Sequence, residues 1–233
     1  MGLNSRGAGG GSNTTFLNVY QGNIVIEYDE QDKLLSKLDN LGLDQDGVKV
    51  RQRTKGKNEG KDVFYYVLFD VSGMLTNVTI KELPFGEFLE LELTDVDKKF
   101  VVSLGDITGR IAKDFARKCG GIDIKSELIF GVWSLTAEQA DNGKAKSGVR
   151  MYQDGDKIDY FIPYEDLPQP EKKTRGRKVT WDYSEQEDFL YDTIVDFSKG
   201  NFKGNPLDLS GSAAAAPAPA ASSSNDSDGG LPF

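Results

Sequence analysis

Two short runs of the chain concentrate positive charge. Lys49, Arg51, Arg53, Lys55, Lys57 and Lys61 place six cations in thirteen residues, with one acid, Glu59, among them. Lys172, Lys173, Arg175, Arg177 and Lys178 place five more in seven. These eleven of the 28 basic residues leave 17 to face 36 acids elsewhere, in a chain whose net charge is −9. Such segregation makes a basic groove on an acidic particle, because position outweighs the sum. Cations so placed track phosphates, and the affinity they give falls with salt as counterions are released. Tyr65, Trp133 and Tyr152 each fall on a predicted strand near a basic segment. Aromatic faces there would stack on unpaired bases without regard to sequence. Arg150, two residues from Tyr152, joins the phosphate candidates. The competing readings are solvated loops for the cations and core positions for the aromatics.

The C-terminus carries a second kind of chemistry. From Ser210 to Ser224 the chain is built only from Gly, Ser, Ala and Pro. That spacer cannot bury enough surface to offset the entropy of ordering it, so it reads as a flexible tether. It ends in Asp226, Asp228, two glycines, Leu231, Pro232 and Phe233. A large apolar side chain beside negative charge on a long tether suits a small pocket rimmed by Lys or Arg on another protein. On these five residues the tail resembles that of the bacterial and bacteriophage single-stranded DNA-binding proteins. The resemblance covers the tail alone. It implies an acidic, disordered arm that recruits replication or repair proteins, such as a polymerase, helicase/primase or nuclease, to a body that covers single-stranded DNA.

Composition excludes a good deal. There is no His and a single Cys, Cys119, so disulfides within the chain and Cys/His zinc clusters are ruled out. The commonest general base and the usual Ser-His or Cys-His pairs are missing too. Phosphate-cradling glycine loops and a Rossmann fingerprint are absent. No enzyme and no cofactor is expected. No apolar run has membrane-spanning length and the N-terminus lacks a signal-peptide pattern, so the expected location is cytoplasmic. The extra length, the missing His and the tail motif suit a bacteriophage source, which would place the protein in the host cytoplasm. Two other classes stay open: an interaction adaptor with no nucleic-acid role, and a magnesium-dependent nuclease built on converging carboxylates.

The elements that must position these residues are mostly strands. Phe16–Tyr20 and Ile24–Tyr28 flank a Gly22-Asn23 break. A helix over Glu30–Leu41, capped by Asp29 and stopped at Gly42, follows. Val48–Thr54 alternates so that Lys49, Arg51 and Arg53 share a face, and Val63–Phe69 returns with either Phe64, Tyr66 and Leu68 or the alternate set turned inward. Strands at Met74–Leu83, Phe85–Thr94, Phe100–Leu104, Glu127–Thr136, Gly148–Gln153 and Lys157–Ile162 surround one amphipathic helix. That helix runs Asp106–Cys119, with Ile107, Ile111, Phe115 and Cys119 along its stripe. Asp154-Gly155 reads as a hairpin turn, because the spacing and closing Glu of an EF-hand are missing.

The predicted fold is mainly β: an OB-like antiparallel barrel with one or two added helices and disordered termini. Periodicity alone equally allows another small barrel, and the tail's resemblance favours the OB-like one. The expected organisation is a disordered segment over residues 1–14 and the single-stranded DNA-binding domain over 15–165. A basic connector at 166–180, a helix packed on the domain at 181–200 and a disordered acidic tail at 201–233 follow.

Overall fold

A computed structural model describes residues 13–54, 58–175 and 178–202. The fold is mainly β. Its elements in chain order are β1 (Thr14–Tyr20), β2 (Asn23–Tyr28), α1 (Gln31–Leu41), β3 (Lys49–Gln52), β4 (Asp62–Leu68), β5 (Asp70–Leu83), β6 (Gly86–Asp95) and β7 (Lys98–Asp106). Then come α2 (Arg110–Lys118), β8 (Glu127–Leu135), β9 (Lys146–Gln153), β10 (Asp156–Lys157), β11 (Glu171–Arg175), β12 (Lys178–Asp182) and α3 (Ser184–Asn201).

Ten of these strands form one sheet in the order β10-β9-β8-β5-β6-β7-β1-β2-β4-β3. The sheet is mixed rather than purely antiparallel, because β1 pairs in parallel with β7. Its hydrogen-bonded ladder does not close into a barrel. It curls instead until the β1–β2 turn meets β8. A Cβ added at Gly22 would lie 2.1 Å from Ser134 Oγ and 2.5 Å from Ser134 N. Gln21 (φ 49°) and Gly22 (φ 74°) both take left-handed backbone there, the geometry of a tight two-residue hairpin turn. Glycine is therefore required at position 22 twice over, for its φ and for the close approach.

Alternation decides which face is buried. Leu17, Ile24, Ile26, Val78, Leu91, Leu93, Val102, Phe130, Val132, Val149 and Met151 all point into one hydrophobic cluster. Of the two sets open on β4, Phe64, Tyr66 and Leu68 are the ones that pack against this cluster. Helix α1 closes the cluster over β2 and β4 through Leu34 and Leu38. It begins after Glu30, not Asp29, whose carboxylate is taken by Arg53 at 2.7 Å. It stops at Gly42 (φ 72°), as the sequence predicts.

Helix α2 does two jobs. Phe115, Ala112 and Ala116 enter the core, as does Cys119 just beyond its end, where burial pushes the thiol pKa up to about 12. Asp114 and Lys118, also buried, turn instead toward β9. The Asp114 carboxylate accepts the Val149 N–H at 2.7 Å, and Lys118 Nζ donates to the Val149 carbonyl at 2.7 Å. The two side chains pair with each other at 2.8 Å, and the Tyr160 hydroxyl donates to Asp114 at 2.8 Å. Because β10 pairs β9 only at Tyr152 and Gln153, this pair occupies the edge that β10 leaves open.

Helix α3 packs on α2 and β5, burying Leu190, Ile194 and Phe197. Lys113 reaches Glu187 at 2.7 Å and Ser198 Oγ donates to the Val78 carbonyl at 2.6 Å. The stretch that reads as a basic connector contributes two strands. Residues 171–175 and 178–182 pair as a separate antiparallel ribbon, β11–β12, which delays the start of α3 to Ser184. No helix among the described residues is long and apolar enough to cross a membrane.

Candidate nucleic-acid interface

The strand register places Arg51, Tyr65, Trp133, Arg150 and Tyr152 on the sheet face opposite the core. Residues paired across a ladder share a face, so the faces can be followed strand by strand. Lys49 stands opposite Tyr65, and Tyr65 opposite Glu27. Tyr20 follows on the same face, its ring edge-on to Tyr65 at 5.5 Å. On the far limb Ile129 pairs with Tyr152, Gly131 with Arg150 and Trp133 with Gly148. Three residues of this face, Val25, Val63 and Val101, are buried yet lie outside the main hydrophobic cluster, as expected if side chains on their own side cover them.

At the β2–β4–β3 end, two arginines arch over β4. Arg51 donates to Glu27 at 2.9 Å while its guanidinium lies over the Tyr20 ring at 4.3 Å. Arg53 is only 8% exposed and holds Asp29. The sequence reads both as free phosphate contacts. Arg53 is committed to the fold, and Arg51 is half-committed, presenting a cation stacked on an aromatic ring. Lys61 is exposed and, like Lys49, has no acidic partner within ion-pair distance among the described residues. Lys55 and Lys57 lie outside the described residues.

At the β8–β9 end the geometry depends on Gly131. Arg150 lies across it to donate to the Phe69 carbonyl at 2.6 Å. A Cβ at Gly131 would come within 2.8 Å of Arg150 Nε and 3.0 Å of that carbonyl, so only glycine leaves room. Tyr152 and Trp133 flank this guanidinium in the neighbouring rows of the same face, each two residues away along its strand. Successive rows are about 7 Å apart. Both rings are partly exposed.

The middle of the face is charge-neutral: Lys81 pairs with Glu90 at 2.8 Å and Lys99 with Glu92 at 2.7 Å. The curl also brings the turn after Tyr20 to β8, where Gly22 meets Ser134, the residue after Trp133. The same sheet face thus carries Tyr65, Tyr20 and Arg51 at one end and Trp133, Arg150 and Tyr152 at the other.

Sequence reasoning missed Tyr20, Phe16 and Phe69. The last two are 54% and 76% exposed. The signal for Phe16 and Tyr20 was present: in β1 the aliphatic Leu17 and Val19 take the inward positions, which leaves Phe16, Asn18 and Tyr20 outward.

The remaining predicted residues lie elsewhere. Lys172, Lys173 and Arg175 are exposed on β11, and Lys178 stands opposite Arg175 on β12. Lys173 is paired with Asp182, which holds that carboxyl well below the usual range. Arg177 and the five tail residues Asp226, Asp228, Leu231, Pro232 and Phe233 lie outside the described residues. Among the described residues no group of three or more His, Cys, Asp or Glu could hold a metal ion. No family model, curated protein or solved structure matches the chain.

Proposed function

We propose that this chain binds single-stranded DNA without regard to sequence, in replication, recombination or repair. The observation that carries the reading is the placement on one sheet face of four partly exposed rings, Tyr20, Tyr65, Trp133 and Tyr152, each pair beside an arginine, Arg51 or Arg150. Rings supply stacking that every base satisfies, and the cations between them supply phosphate contacts. Acidic surroundings, with a net charge of −9, confine favourable contact with a polyanion to the basic segments. The curled sheet, with its hairpin turn seated on β8, supports an open relative of the OB-like barrel as the underlying architecture.

Binding of labelled oligothymidine across a salt series tests this. With Lys49, Arg51, Lys61 and Arg150 as phosphate contacts, log K against log salt for a short oligomer that fills the sheet face alone should fall linearly with a slope of about −3. No binding at the lowest salt, or a slope near zero, refutes the reading and favours an interaction adaptor whose basic loops are merely solvated.

The tail serves a separate task in this proposal. Deleting Leu231–Phe233 leaves the oligothymidine affinity intact and abolishes capture of a polymerase, helicase/primase or nuclease partner. Equal partner capture by the truncated protein removes the tail from the account.

A further inference from the structure

The β11–β12 ribbon stands apart from the large sheet, paired only with itself. An isolated two-stranded hairpin is marginal in water, and burying one face is the usual remedy. This ribbon leaves both faces exposed. They differ in chemistry. One carries Glu171 and Asp182, with Lys173 clamped to Asp182, and Arg175 beside them. The other sets Trp181 opposite Lys172 and Val179 opposite Thr174. Trp181 is 54% exposed and Val179 47%. Tyr183, 44% exposed, follows directly.

We propose that the ribbon is a second single-strand subsite, in which Trp181 stacks on a base while Lys172, paired opposite it on the same face, holds the adjoining phosphate. The inference rests on the single-strand reading above and adds a residue, Trp181, and a place for the strand to go once it leaves the sheet. Charge complementarity decides the occupant. In an acidic chain the described ribbon residues carry Lys172, Lys173, Arg175 and Lys178 against Glu171 and Asp182, so a polyanion is favoured over a second copy of this protein. An unpaired strand is favoured over a duplex, because an indole plate needs an unstacked base to meet.

Only two tryptophans occur in the chain, Trp133 and Trp181, so each can be read alone. In Trp133→Phe, saturating oligothymidine of about 30 nucleotides should quench Trp181 emission. Trp181→Ala should bind that oligomer about tenfold more weakly, with little change for one of about eight nucleotides that fills the sheet face alone. Lys172→Gln, which leaves the ribbon's pairing intact, should flatten the salt slope for the long oligomer by about 0.7. Unquenched Trp181 together with wild-type affinity and slope in these variants overturns the subsite while leaving the sheet-face proposal standing. Failure of the unmutated protein to bind any oligomer removes both. Concentration-dependent Trp181 emission without DNA, matched by a dimer in sedimentation, assigns the face to a second copy and also overturns it.

Discussion

Replacing Trp133 and Tyr152 together by alanine should weaken oligothymidine binding about a hundredfold at fixed salt and leave the slope of affinity against salt unchanged. Each stacked base contributes roughly 1–3 kcal/mol, so two lost rings cost about 2–6 kcal/mol, a range that includes the hundredfold loss. Phosphate contacts, which set the slope, stay in place. Both rings are partly exposed and outside the core cluster, so the melting temperature should move little. Arg150→Gln gives the converse signature, a slope flatter by about 0.7 with a smaller drop in affinity. Equal affinity in the double variant would mean that the rings merely cover the sheet.

Asp114→Ala should be the most damaging single change to stability, costing about 3–5 kcal/mol in urea unfolding. The carboxylate takes three donors, the Val149 N–H, Lys118 Nζ and the Tyr160 hydroxyl. Removing it strands a buried ammonium without its counter-charge, left with the Val149 carbonyl and the Tyr160 ring 4.7 Å away. Adding Lys118→Met to Asp114→Ala should restore much of the loss, because the unpaired charge goes while its volume stays. A double variant no more stable than the single one would locate the damage in the exposed β9 edge rather than in the orphaned charge.

The sequence was informative wherever one residue's neighbours along the chain settle its environment. In β4 the alternation narrowed the inward set to two choices and marked Tyr65 as an outward ring if Phe64, Tyr66 and Leu68 went in. The stripe Ile107, Ile111, Phe115 and Cys119 placed α2 against the core. Long-range partners were invisible. Arg51 and Arg53 look free in a run of cations, yet Glu27 and Asp29 lie across β4, within reach of a long guanidinium side chain arching over Val63. Asp114 and Lys118 have the charges of a solvated helix face, and only the position of the β9 edge makes them buried ligands of a backbone.

The parallel pairing of β1 with β7 is of the same kind, since no local pattern distinguishes it from an antiparallel closure. The ribbon escaped for a different reason. Its strands carry only Val179 and Trp181 as apolar residues among cations and acids, too few for a strand signal, and cross-strand pairing supplies the rest.

Photo-crosslinking of an iodouracil-substituted oligothymidine to the full-length protein, with the modified residues mapped by mass spectrometry, interrogates the proposed face most directly. The account predicts adducts at Trp133, Tyr152, Tyr65 and Tyr20, lost together as salt rises. Adducts confined to the helical side, at Phe189 or Tyr191 of α3, would contradict it.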